Sequence, residues 1–112
     1  DYTHLLFVDT DISFSAYDVL RLIDADKDVT VGVYSKKYIS NQKVEIMANH
    51  TGFPKDWRPL VGDFSTEINN ENLQKAKSEN IVEAEYAATG FMLIKRECIE
   101  KIIKERPDIK FL

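Results

Sequence analysis

Apolar positions along the chain come in short blocks, each closed by polar or charged residues. Residues 4–9, HLLFVD, are apolar almost throughout. A run of this kind fits a strand buried on both faces, as in a parallel sheet. Ala16, Val19, Leu20 and Ile23 then recur at i, i+3, i+4 and i+7, which marks one face of a helix. Ser13 or Ser15 is placed to cap it, and Ser15 with Asp18 has capping-box spacing. DADKD at 24–28 ends the helix, and VTVGVY at 29–34 is a β-branched run that reads as a second strand. Strand, helix and strand over this length predict a βαβ unit with parallel strands.

The middle of the chain is less regular. KVEIMA at 43–48 reads as a short strand, and the segment at 50–59, with Gly52, Pro54 and Pro59, as a loop. LVGDFSTEI at 60–68 reads as a strand, one side of a hairpin, and 70–80 as a short polar helix. IVEAEYA at 81–87 alternates, placing Val82, Ala84 and Tyr86 on one face of a half-exposed strand and Glu83 and Glu85 on the other. GFMLI at 90–94 is a further apolar strand. A helix over 96–106 follows, with Ile99, Ile102 and Ile103 on one face and Pro107 as its stop. The predicted fold class is α/β, with a mixed, partly parallel sheet and flanking helices, in a single domain over 1–112.

Composition narrows the function classes. With 112 residues, 44% hydrophobic and 30% charged, the chain can build one small core. A net charge of −4 argues against a nucleic-acid partner. The single cysteine, Cys98, has no partner for an internal disulfide and reads as a small buried hydrophobe. No apolar run approaches the ~20 residues that span a bilayer. No signal-like segment opens the sequence, so the expected location is the cytoplasm. The sequon Asn49-His50-Thr51 therefore reads as a chance match. The start without Met and the apolar finish, IKFL, read as the ends of a fragment.

The main candidate chemistry lies where the first strand stops. Asp9 and Asp11 close the apolar run, with no Lys or Arg between His4 and Arg21. On an extended backbone, residues i and i+2 point to the same side, which would aim both carboxylates at one spot. In open α/β sheets ligands bind at the carboxyl ends of strands. Two close carboxylates repel unless a cation lies between them. Hard oxygen ligands select Mg²⁺ or Mn²⁺, which retain positions for substrate phosphates. The plainer reading is that Asp-x-Asp is short and that acidic residues cap helices.

This stretch resembles glycosyltransferases of the GT-A fold, whose hallmark is an apolar strand ending in Asp-x-Asp, here LLFVDTD at 5–11. The likeness is to bacterial, viral and metagenomic glycosyltransferase-like sequences. It continues in ISFS at 12–15, DKDV at 26–29, GVYSKK at 32–37 and ATGFMLIKRECIEKI at 88–102, and skips 38–80. Ser35 stands where such sequences often have Pro. The family's nucleotide-binding half, expected before the Asp-x-Asp strand, and an acidic segment expected after the last helix do not occur in this sequence. The resemblance implies the central and C-terminal part of a transferase, incomplete for activity alone. Such an enzyme moves a sugar from a nucleotide-diphospho-sugar donor to a glycan or other hydroxyl acceptor. It implies metal at Asp9 and Asp11, and donor or acceptor contacts from Asp9, Thr10, Asp11, Lys36, Thr89, Gly90 and Phe91. A sheet lacking its first half would expose an apolar edge, which favours a homodimer.

Other residues carry weaker signals. Lys36 and Lys37 could meet phosphate, although paired lysines are mostly solvated. Trp57, beside Arg58, could stack on a sugar ring or simply plug a loop over the core. His50 is a conceivable metal ligand, whereas His4 sits within a strand and reads as core. Glu83 and Glu85 could serve as acid and base, but a solvated strand face accounts for them. Two rival functions fit the same residues. A phosphatase of the haloacid dehalogenase type would use the first Asp as nucleophile. It normally follows Asp-x-Asp with Gly-Thr, and here Ile12-Ser13 follows. A non-catalytic sugar- or metal-binding fragment would keep the fold without turnover.

Overall fold

The computed structural model describes residues 1–49, 62–75 and 80–109. In chain order the elements are β1 (His4–Val8), α1 (Ala16–Asp24), β2 (Val29–Val31), β3 (Ser35–Ile39) and α2 (Asn41–Ala48). They continue with β4 (Gly62–Phe64), β5 (Thr66–Glu67), α3 (Asn70–Lys75), β6 (Tyr86–Ala87), β7 (Phe91–Lys95) and α4 (Arg96–Glu105). The chain forms two compact units, Asp1–Gly32 with Ala88–Leu112, and Val33–Ala87.

The first unit is built on a three-stranded sheet in the order β1-β7-β2. β1 runs antiparallel to β7, with His4 opposite Lys95 and Val8 opposite Phe91. β2 also runs antiparallel to β7, with Val29 opposite Ile94 and Val31 opposite Met92. The α/β class therefore holds, but the expected parallel pairing does not: every ladder among the described residues is antiparallel. The β1-α1-β2 crossover does leave two strands pointing the same way. They do not touch, because β7 enters the gap between them from the far end of the sequence. Central position explains the core. Phe91, Met92 and Leu93 are buried, together with Leu22 of α1. β1 is nearly as apolar as β7 yet lies at an edge, so Leu5, Phe7 and Val8 are exposed. His4, expected in the core, is half-buried on this edge strand, with its Nδ1 2.8 Å from the Thr3 hydroxyl.

α1 begins where its sequence signals place it. Ser15 is the N-cap, and its hydroxyl accepts from the Asp18 N–H at 3.3 Å. The Asp18 carboxylate accepts in return from the Ser15 N–H at 2.8 Å and its hydroxyl at 2.9 Å. This reciprocal box satisfies donors that the first turn leaves unpaired. α4 starts directly at the end of β7 and stops before Pro107. Ile99 is half-buried, but Ile102 and Ile103 are exposed, so the expected apolar face of α4 is covered only at its start.

The second unit contains two small antiparallel pairs, β3 with β4 and β5 with β6. KVEIMA is helical rather than extended: it lies in α2, capped by Ser40, whose hydroxyl accepts from the Lys43 N–H at 3.4 Å. Lys, Gln, Glu, Met and Ala are good helix formers, and a short apolar run cannot distinguish the two states. The strand expected over 60–68 is two short strands broken at Ser65, which is buried. Its N–H donates to the Tyr34 carbonyl at 2.9 Å, and its hydroxyl accepts from the Tyr34 N–H at 3.4 Å. The strand expected over 81–87 shrinks to Tyr86–Ala87, with Tyr86 exposed and Val82 and Ala84 half-buried. Burial still alternates before the ladder, with Glu83 and Glu85 exposed between and after Val82 and Ala84. The polar helix expected over 70–80 is present over Asn70–Lys75 as α3, and 76–79 lie outside the described residues. The 50–59 segment, with His50, Trp57 and Arg58, lies outside the described residues.

Candidate functional site

The carboxyl ends of β1 and β2 and the amino end of β7 meet at one end of the sheet. Two hydrogen bonds prolong the ladders there. The Asp9 N–H donates to the Gly90 carbonyl at 2.9 Å, and the Gly32 N–H donates to the Phe91 carbonyl at 3.0 Å. The Asp-x-Asp segment, the Thr89–Gly90 turn and the residue after β2 thus share this end. Asp9, Thr10, Asp11, Thr89, Gly90 and Phe91 all belong to it. Lys36, the remaining candidate, is exposed on β3 of the second unit.

The backbone reverses immediately after β1. The Ile12 N–H donates to the Asp9 carbonyl at 3.1 Å, closing a turn with Thr10 and Asp11 at its centre. Asp is a favoured first residue of such turns. The pair therefore does not sit on an extended strand, and the i, i+2 argument from β geometry fails. β1 ends at Val8, and a tight turn carries both carboxylates instead. Asp9, Thr10 and Asp11 are exposed, as is Thr89, while Gly90 and Phe91 are buried. The site thus has a polar, open rim above an apolar floor.

The floor is aromatic. The Phe91 ring lies against the Phe14 ring, with centroids 5.2 Å apart and planes tilted by 32°. Gly32 also lies against this ring, so that a Cβ there would overlap it. Phe14 is 46% exposed and directly precedes the N-cap Ser15. The Ser15 N–H and hydroxyl bonds hold the Asp18 carboxyl below its ordinary range. The segment between Asp9 and Ser15 is consequently pinned by the Asp9–Gly90 bond at one end and the capping box at the other.

No protein-family model, curated protein or solved structure matches this chain significantly. The chemistry is therefore read from the chain itself. Among the described residues, no group of three or more His, Cys, Asp or Glu converges on one point. A closed, all-protein metal cage is not what these residues build. Two exposed carboxylates on one turn are a hard-oxygen donor set. They fit an ion that takes its remaining oxygens from water and substrate phosphate. Glu83 and Glu85 are exposed in the second unit, as a solvated pair would be, and Cys98 is half-buried on α4.

Phe14 and Gly32 were not singled out in the sequence as site residues. Both left a signal. An isolated glycine ending a β-branched run marks close approach of another group. A large apolar residue just before a capping serine is commonly fixed by packing. A cavity of about 400 Å³ lined by Tyr2, His4, Leu5, Arg96 and Ile99 lies at the opposite end of β1, away from the carboxylates.

Proposed function

We propose that this chain carries the donor-diphosphate site of a metal-assisted glycosyltransferase, which moves a sugar from a nucleotide-diphospho-sugar to an acceptor hydroxyl. The observation that carries the reading is the turn at the carboxyl end of β1, with Asp9 and Asp11 exposed beside the Thr89–Gly90 turn. Asp9 and Asp11 would hold Mg²⁺ or Mn²⁺ through their carboxylates, and such an ion would supply Lewis-acid stabilisation of the charge on the leaving diphosphate. The Thr10 and Thr89 hydroxyls line the rim as hydrogen-bonding groups for phosphate or sugar. Gly90 permits close approach of backbone and ligand. Phe91 forms the apolar floor. The anomeric carbon passes through an oxocarbenium-like state, as in glycoside hydrolysis.

The first test is calorimetric titration of the chain with UDP- and GDP-sugars, with and without Mn²⁺. Mn²⁺-dependent binding is expected, and Asp11→Asn is expected to abolish it while leaving the thermal transition in place. Binding that is unchanged in Asp11→Asn overturns the assignment.

A further inference from the structure

We propose that Phe14 is a positioning residue: through Phe91 it sets the geometry of the turn bearing Asp9 and Asp11. The metal-site significance of that turn rests on the function proposed above, but the mechanical claim does not.

The linkage runs through named contacts. Phe91 is the first residue of β7, and its ring packs against both Phe14 and Gly32. Its backbone is fixed by the Gly32 N–H bond to its carbonyl. The residue just before it, Gly90, provides the carbonyl that accepts from the Asp9 N–H. Displacing the Phe91 ring therefore disturbs the peptide that anchors Asp9. Within the turn the Ile12 N–H bonds back to the Asp9 carbonyl, and beyond it lies the Ser15 cap. Phe14 lies between these two and closes the circuit back to Phe91. It is nearly half exposed. A functional constellation needs such support, because an error of a fraction of an ångström in the ligands is enough to weaken it.

Amide hydrogen exchange, measured residue by residue, tests this without any ligand. The amides of Lys95 and Arg96, bonded to Asp28 and Thr3 at the other end of the sheet, serve as internal controls. In Phe14→Ala, the Asp9 amide is expected to exchange roughly two- to ten-fold faster, the range an aromatic pair contributes. Lys95 and Arg96 should hold their wild-type rates. Phe14→Tyr, which keeps the ring, should restore the Asp9 rate. Gly32→Ala, whose Cβ would overlap the Phe91 ring, should reproduce the Phe14→Ala pattern. An unchanged Asp9 rate in Phe14→Ala overturns the proposal. So does equal acceleration at Asp9, Lys95 and Arg96, which would mean loss of general stability.

Titration of the same variants with Mn²⁺ separates the two claims. Affinity in Phe14→Ala should fall by a similar factor and recover in Phe14→Tyr. If the wild-type chain ignores Mn²⁺, the proposed function fails, while the exchange rates still decide the positioning role.

Discussion

Asp26 has a φ of 50°, the one positive value outside glycine among the described residues. Side chains other than Gly, Asn and Asp rarely tolerate that region. Lys95 secures it: its ammonium donates to the Asp26 carboxylate at 2.7 Å and reaches the Asp26 carbonyl at 3.4 Å. The Lys95 hydrogen bond lowers the Asp26 carboxyl below its ordinary 3.8, and the same bond raises Lys95 above 10.5. The depressed carboxyl stabilises the fold above pH 3.8, and that contribution is lost as pH falls through its folded-state value. The raised ammonium contributes below pH 10.5, and its part is lost as pH climbs past its folded-state value. Asp26→Asn keeps the backbone preference and removes the charge. It should lower the melting temperature near neutrality, and the difference from wild type should shrink below pH 3.8 and vanish once the pH is under the lowered folded-state value. A difference that persists in acid would mean the ion pair is not its source. Ser15→Ala removes the hydroxyl half of the capping box, leaving the backbone N–H bond to Asp18, and should cost about 1 kcal/mol in denaturant unfolding.

At the scale of elements, β7 matters most. Leu93 is 6% exposed and lies between Leu6 and Thr30 in register. Leu93→Ala should cost about 2–5 kcal/mol by denaturant titration, the cost of a core cavity. The equivalent change at Leu5, on the edge and 46% exposed, should cost clearly less. The sequence made β1, α1, β7 and α4 legible, because each carries either an unbroken apolar run or an apolar face at helical spacing. It did not reveal which strand is central. A continuous run such as FMLIK says that a strand is covered, not which neighbours cover it. α2 was misread for a different reason: six residues hold too little periodicity to separate strand from helix, and the deciding signal was the capping Ser40. The site was legible in part. Asp9 and Asp11 stand out as charges closing an apolar run, whereas Thr89 and Gly90 enter only through the family resemblance. Their adjacency depends on the antiparallel register of β1 and β7, a long-range fact that local pattern does not contain. The turn at 9–12 was hidden for the opposite reason, since Thr10 and Asp11 fit a strand end and a turn equally well.

At the scale of the molecule, each unit has its own pairing. The first joins the two ends of the sequence, while the second occupies the residues between β2 and β7. Among the described residues no helix is long and apolar enough to cross a membrane. The position of β7 also carries a kinetic consequence. As the chain emerges during synthesis, β1 and β2 leave first, and neither can form a ladder, because the strand that joins them has not yet been made. The apolar side chains of β1 must wait while the whole second unit is produced. Closing so long a loop costs entropy before any contact repays it, so sheet formation is the late and slow step. A chain cut after Ala87 lacks β7 and should form neither ladder of the first unit, which full amide exchange across β1 and β2 would reveal. The folding of this unit is thus timed by its last strand, and its first strand is the segment most exposed to wrong partners until then.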